Sequence, residues 1–286
     1  MAGMTSICVF PGQGAQKAGM GEGLFERFPS QVEAADRILG YSIAELCLEN
    51  SGDRLGQTQF TQPALFVVSA LGFLARQADG GSEVDYVAGH SLGEYTALFA
   101  AGAFSFEDGI RLVQERGRLM SGVSGGGMAA VIGMTPETIQ NVLTEAGFSE
   151  IDLANQNSPK QTVIAGPKAD VLACGSPLTE AGGKVIPLDV SGAFHSRQMR
   201  PVAEQYARFL EGVGFEALRI PVIANVTGRP YEESEVRETL ARQIASPVMW
   251  SSSIQYLLAL EEPEFEEIGP GKVLTGLIRQ IKAGLR

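Results

Sequence analysis

The segment with the clearest chemical meaning is Gly89-His90-Ser91-Leu92-Gly93. It fits the pattern glycine, any residue, serine, any residue, glycine. An apolar stretch, residues 84–88, precedes it, and a helical pattern over 94–101, stopped at Gly102, follows it. A strand entering a sharp turn and then a helix would lift a serine hydroxyl clear of a sheet, and flanking glycines leave room for that backbone. Ser91 would stand at a helix N-terminus, where free N–H groups and the helix dipole favour negative charge. The Leu92 N–H is the natural donor to a developing oxyanion. A serine nucleophile also needs a base, and the chain holds only two histidines. His90 is adjacent to Ser91, and side chains of neighbours on a tight turn diverge, so His90 reads as a packed residue. His195, in Gly192-Ala193-Phe194-His195-Ser196, is left as the base. No orienting acid stands out among the 33 Asp and Glu residues.

The order of serine before histidine is that of α/β hydrolases, and the surrounding elements suit such a scaffold. Residues 7–10 form an apolar run ending at Pro11-Gly12, a buried first strand entering a glycine loop. Residues 24–48 look helical, with a break at Gly40. Thr61-Gln62-Pro63 opens a long apolar helix, with Thr61 as its cap. A second helix over 106–120 is capped by Ser105, carries Glu107 and Asp108 in its first turn, and sets Ile110, Val113, Gly117 and Met120 on one face. Ser124-Gly125-Gly126-Gly127 reads as a hinge. After it come strand 128–133, helix 136–146, strands 151–155 and 162–165, helix 168–181 and strand 185–188. That β-α-β-β-α-β order is ferredoxin-like. The parent fold resumes near His195, with a strand at 222–226 and a last helix after Gly271. The expectation is an α/β protein: an α/β-hydrolase-like large domain, 1–123 and 193–286, with an inserted ferredoxin-like small domain, 124–192.

Composition narrows the function classes. The 286 residues suffice for one large domain, or a large one carrying a smaller, with a substantial core. With 44% hydrophobic and 19% charged residues the chain is globular rather than disordered. Cys8, Cys47 and Cys174 make neither a disulfide framework nor a zinc-like spacing, and read as reduced core residues of a cytosolic protein. The longest mostly apolar run, 63–75, is too short to span a bilayer, and no signal peptide is evident. A cytoplasmic location without membrane attachment is expected. A net charge of −11, a single tryptophan and no basic tract argue against nucleic acid. Two histidines rule out a multi-histidine metal site, so no metal is expected.

Seven motifs occur in an order that resembles one family: Phe10-Pro11-Gly12-Gln13-Gly14-Ala15-Gln16, Thr61-Gln62-Pro63-Ala64-Leu65, Gly89-His90-Ser91-Leu92-Gly93-Glu94, Arg116-Gly117, Ala193-Phe194-His195-Ser196, Asn225-Val226-Thr227-Gly228 and Gly269-Pro270-Gly271-Lys272-Val273-Leu274. The chain resembles the malonyl-CoA:acyl-carrier-protein transacylases over residues 7–281. Within them it is most similar to the free-standing acyltransferases that serve polyketide synthases lacking their own. The resemblance implies ping-pong transfer of malonyl from malonyl-CoA, through a malonyl ester of Ser91, to the phosphopantetheine thiol of an acyl carrier protein, for polyketide or fatty-acid synthesis. It implies His195 as base in both halves, an oxyanion hole from the N–H groups of Gln13 and Leu92, and a backbone carbonyl, that of Met249 in Pro247-Val248-Met249-Trp250, orienting His195. It further implies Arg116 as a fork for the malonyl carboxylate, Gln62 and Asn225 lining that pocket, and Phe194 as a bulky residue favouring malonyl over methylmalonyl. Taken alone, Gln62 and Asn225 could equally make hydrogen bonds at a helix start and a strand end. No bound cofactor and a monomeric protein are expected.

Carrier proteins of this kind are acidic, as is this chain, so docking must use a local basic patch. Lys160, Lys168, Lys184, Arg197 and Arg200 on or beside the small domain are the candidates, set against the alternative of scattered solubilising charges. A hydrolase clearing stalled acyl groups from carrier proteins is the competing activity. Arg116 discriminates between the two, because neutral acyl chains would leave it unpaired.

Overall fold

The computed structural model describes residues 4–285. In chain order the first half runs β1 (Thr5–Phe10), α1 (Leu24–Arg27), α2 (Pro29–Leu39), α3 (Ile43–Glu49), α4 (Thr58–Ala78), β2 (Tyr86–Gly89), α5 (Gly93–Ala100) and α6 (Phe106–Ser121). A second group follows: β3 (Gly126–Ile132), α7 (Pro136–Glu145), β4 (Asp152–Ser158), β5 (Gln161–Pro167), α8 (Lys168–Ala173), α9 (Gly175–Glu180) and β6 (Lys184–Leu188). The remainder is α10 (Arg200–Leu210), β7 (Val222–Ala224), β8 (Arg229–Pro230), α11 (Val236–Gln243), α12 (Trp250–Leu258), β9 (Pro263–Glu267) and α13 (Val273–Gly284).

The larger sheet has the order β8-β7-β2-β1-β9, parallel throughout except for the short β8 at one edge. Its centre is β1, buried on both faces as parallel strands are. Cys8 and Phe10 point into one apolar cluster with Leu65, Phe66 and Val67 of α4, while Ile7 and Val9 point into another with Trp250, Ile254 and Ile281. Helices on both faces therefore hold β1 and β2 rigidly, and the loops leaving their C-terminal ends carry Gln13 and Ser91. The second sheet has the order β4-β5-β3-β6 with every pairing antiparallel, the ferredoxin-like arrangement. Ala129 and Val131 of β3 pack on Ile139, Leu143 and Leu178 of α7 and α9. The alternate residues Met128 and Ala130 face the other way, into the cavity described below.

Local chemistry sets several boundaries. Ser105 caps α6, its hydroxyl accepting from the Asp108 N–H at 3.1 Å. The long apolar helix starts at Thr58 and not at Thr61. Thr61 is therefore not its cap: its hydroxyl donates to the carbonyls of Leu55 and Gln57, and Pro63 lies inside the helix. The extra turn is held by packing. A side chain on Gly117 would come within 3.2 Å of Gln59 Cα and the Thr58 carbonyl, so its absence lets α6 close against the start of α4. By length and composition α4 could cross a membrane, yet 78% of its apolar window is buried, as befits a core helix. Strand β9, Pro-Glu-Phe-Glu-Glu, is not legible in the sequence: it is an edge strand whose Glu264 and Glu266 stay exposed. Cys8, Cys47 and Cys174 are buried thiols.

Candidate active site

Ser91 occupies the turn between β2 and α5 with φ of 51°, a left-handed conformation that a non-glycine residue adopts at a cost of about 1–3 kcal/mol. Asn225 clamps the turn from the end of β7. Its Oδ1 accepts from the Ser91 N–H at 2.7 Å, and its Nδ2 donates to the Gly89 carbonyl at 2.6 Å. The flanking glycines are required by close approach rather than flexibility. A Cβ on Gly93 would lie 2.0 Å from the Phe10 carbonyl oxygen, and one on Gly89 would lie 1.9 Å from the Gly93 carbonyl carbon. Gly12 meets the same turn from the β1 side: a Cβ there would sit 2.3 Å from the His90 carbonyl oxygen. The glycine loop is thereby brought against the turn, with Gln13 and Leu92 lining one cavity beside Ser91. Neither the Gln13 N–H nor the Leu92 N–H donates to any acceptor among the described residues.

His195, also at positive φ (60°), places Nε2 2.7 Å from Ser91 Oγ. Its Nδ1 is 2.9 Å from the carbonyl oxygen of Gln243. A carbonyl only accepts, so Nδ1 carries the proton and Nε2 presents its lone pair to the serine hydroxyl. Burial, and then the charge of Arg116, push the His195 pKa down to about 3, so the imidazole is neutral at neutral pH. The orienting carbonyl is that of Gln243 and not that of Met249. Met249 O instead accepts from the Ser253 N–H and hydroxyl in the first turn of α12, so it is already engaged.

Arg116, on α6, is 1% exposed. Nη1 donates to Gln62 Oε1 at 2.9 Å, while Nη2 donates to Gln243 Oε1 at 2.9 Å and to Ser91 Oγ at 3.2 Å. Its Nε has no hydrogen-bond partner, and no carboxylate lies within ion-pair distance among the described residues. The guanidinium is thus buried and fixed, with no carboxylate in direct contact among the described residues. Gln62 and Asn225 do not line the cavity. Gln62 holds Arg116 and Asn225 holds the turn, each pointing its polar atoms away from the open space. Phe194 does line the cavity, which measures about 320 Å³ between the two sheets. His90 lines it too, but is bound to Asn157 at 2.7 Å and packs edge-on against Trp250.

Sequence reasoning missed two residues. Gln243, at the end of α11 and fully buried, donates from Nε2 to the Ser91 carbonyl at 2.8 Å and to Glu94 Oε2. Glu94, the acidic residue directly after the serine motif, is fully buried, and accepts from the Tyr231 hydroxyl at 2.5 Å and the Asn225 N–H at 3.1 Å. Burial raises its pKa to about 7, against the pull of those donors and of Arg116. Glu94 sits in a quoted motif, but an adjacent glutamate reveals nothing of its distant partners. Gln243 had no signal at all.

The five basic residues proposed for docking are all exposed, but they do not form one patch. Lys160 precedes β5 and Lys168 follows it, at opposite ends of a seven-residue strand, roughly 25 Å apart. Lys184 faces Ile132 near the Lys160 end. Arg197 is spent on Asp152 at 2.6 Å and Glu150 at 3.9 Å. Arg197 and Arg200 border a separate hollow that also reaches His195.

A serine, a neutral histidine and two free N–H groups around one cavity on an α/β scaffold are the groups that covalent acyl transfer requires. Comparison with known proteins agrees. The acyl transferase domain family matches residues 7–283, and the chain belongs to that family, among its malonyl-CoA:acyl-carrier-protein transacylases. It is 52% identical, over 96% of this chain and 96% of the relative, to the polyketide biosynthesis malonyl CoA-acyl carrier protein transacylase PksC of Bacillus subtilis. It is 54% identical to the polyketide biosynthesis protein ThaF of Burkholderia thailandensis over 96% of this chain but only 24% of that much longer protein. The crystal structure of a malonyl CoA-acyl carrier protein transacylase from Burkholderia pseudomallei superposes with a TM-score of 0.96 at 46% identity, covering 98% of this chain and 99% of that one.

Proposed function

We propose that the protein transfers malonyl from malonyl-CoA to the phosphopantetheine thiol of an acyl carrier protein, supplying extender units for polyketide synthesis. Acting as a cytoplasmic monomer, it would use a catalytic domain of residues 1–123 and 193–286 and a small domain of residues 124–192 that closes the cavity. Ser91 Oγ attacks the thioester carbonyl while its proton passes to His195 Nε2. The oxyanion is received by the Gln13 and Leu92 N–H groups. Collapse expels the CoA thiolate, which takes the proton from His195, and leaves a malonyl ester on Ser91. The pantetheine thiol then gives its proton to His195 and attacks that ester, and collapse returns the Ser91 hydroxyl. Phosphopantetheine arrives on the carrier protein, so the chain supplies the nucleophile, base and donors from its own residues.

One observation carries the choice of malonyl: the buried Arg116 guanidinium, 3.2 Å from Ser91 Oγ and without a carboxylate partner. A free carboxylate on the acyl group would match it, whereas a neutral acyl group would leave it unpaired, which also disfavours the hydrolase reading. The test is mass spectrometry of the protein mixed with malonyl-CoA, followed by addition of holo acyl carrier protein. The expected result is a malonyl adduct on the Ser91 peptide that moves to the carrier protein. No adduct, or an adduct lost to free malonate with the carrier protein unloaded, would remove the transferase reading.

A further inference from the structure

Arg116 can discriminate between acyl groups only if its guanidinium is aimed, and the groups aiming it form a chain that the reaction itself does not use. Nη2 rests on Gln243 Oε1 at 2.9 Å. A side-chain amide has two orientations, and the reverse one would present Nε2–H to a guanidinium that can only donate. Two acceptors on the other side of Gln243 fix the orientation seen. Nε2 spends one hydrogen on the Ser91 carbonyl at 2.8 Å and the other on Glu94 Oε2. Glu94 has only donors around it: Gln243 at Oε2, with the Tyr231 hydroxyl at 2.5 Å and the Asn225 N–H at 3.1 Å, both at Oε1.

Resting on the transferase reading above, we infer that Glu94 is a positioning residue for acyl selectivity. Its carboxylate locks the Gln243 amide so that Gln243 Oε1 holds the Arg116 fork toward the acyl group on Ser91. Glu94 touches neither Ser91 Oγ nor His195; it reaches Arg116 through Gln243 at Oε2, while its Oε1 holds the Asn225 N–H, a contact that Glu94→Gln keeps. The same glutamine gives its main-chain carbonyl to His195 at 2.9 Å, and that contact does not depend on the amide.

Glu94→Gln tests the lock with almost no change of volume. The Asn225 N–H can only donate, so the new amide must keep its oxygen there and turn its NH2 toward Gln243. Gln243 then flips to accept from it, and its own NH2 faces Arg116. The Ser91 carbonyl loses its donor in the same motion. The assay is kcat/KM for loading of Ser91 from malonyl-CoA and from acetyl-CoA, with thermal denaturation as the folding control. The expected result is a fall of tenfold or more in the malonyl-to-acetyl ratio. A merely structural role would depress both substrates by one factor and leave the ratio alone, and that result, or an unchanged pair of rates, overturns the inference. Gln243→Met serves if the glutamate variant does not fold. It keeps the main-chain carbonyl and removes the amide, and an unchanged ratio there would equally overturn the proposal. Failure of the wild-type protein to load malonyl at all would sink the transferase reading instead, so the two failures are distinct.

Discussion

Arg116→Ala is the perturbation with the largest effect on which substrate is used. The guanidinium is 1% exposed, held by Gln62 and Gln243, and 3.2 Å from Ser91 Oγ. A malonyl carboxylate meeting it would gain two charge-assisted hydrogen bonds, each contributing about 1.5–3 kcal/mol. Desolvating the carboxylate offsets part of that, leaving about 3–4 kcal/mol. At about 1.4 kcal/mol per tenfold, malonyl loading should fall on the order of 10²–10³-fold in kcat/KM. Acetyl makes no such bonds, and in the wild-type protein it covers a buried cation that has no carboxylate in direct contact. Its loading should hold or rise in the variant, helped by His195, whose pKa Arg116 depresses. The assay is single-turnover acylation from each CoA ester, read by intact mass at early times, with circular dichroism confirming the fold. A drop equal for malonyl and acetyl would show that Arg116 supports the serine generally and does not select the carboxylate. An unaffected malonyl rate would refute the reasoning entirely.

Three further outcomes follow from the geometry. Asn225→Ala removes both clamps on the serine turn, and should destabilise by about 2–4 kcal/mol in urea unfolding and slow Ser91 acylation at least tenfold; unchanged acylation would mean the turn holds its strained φ unaided. Gly93→Ala should cost roughly 4 kcal/mol or more, because its Cβ would meet the Phe10 carbonyl at 2.0 Å, whereas Gly276→Ala in α13 meets nothing within 4 Å and should be neutral or mildly stabilising; similar unfolding midpoints for the two would contradict this packing. His195, ordinarily titrating at 6.5 but held near 3 when folded, takes up its proton in the unfolded chain first, so wild-type stability declines as pH falls from 6.5 toward 3. His195→Gln removes that uptake, so the variant's stability relative to wild type should rise by several kcal/mol across this window, and a difference that is constant with pH would show that His195 does not titrate there.

The sequence was most informative where function depends on short stretches of chain. Gly89 to Gly93 announced a strand, a turn and a helix because the motif is contiguous in the chain, even though Gly93 answers to the distant Phe10 carbonyl, and two histidines left little choice of base. The order of the small domain was equally legible, since each strand and helix must bury its own face, although the single helix expected over 168–181 is two short ones, Lys168–Ala173 and Gly175–Glu180. Charged β9 was not, because an edge strand needs only one partner and need not be apolar on both faces.

What the sequence by itself marked, then, is a candidate nucleophile, a candidate base and the kind of scaffold, each written in residue type and spacing. Tertiary structure alone decided how they are aimed. Asn225 reaches Ser91 across 134 positions, and Gln243 reaches Glu94 across 149. It is Gln243 rather than Met249 that supplies the carbonyl for His195, and Gln62 holds the arginine instead of lining the cavity. A buried polar side chain must find a partner wherever the fold provides one. Which partner it finds is a property of the packed molecule, and no local pattern in the chain records it.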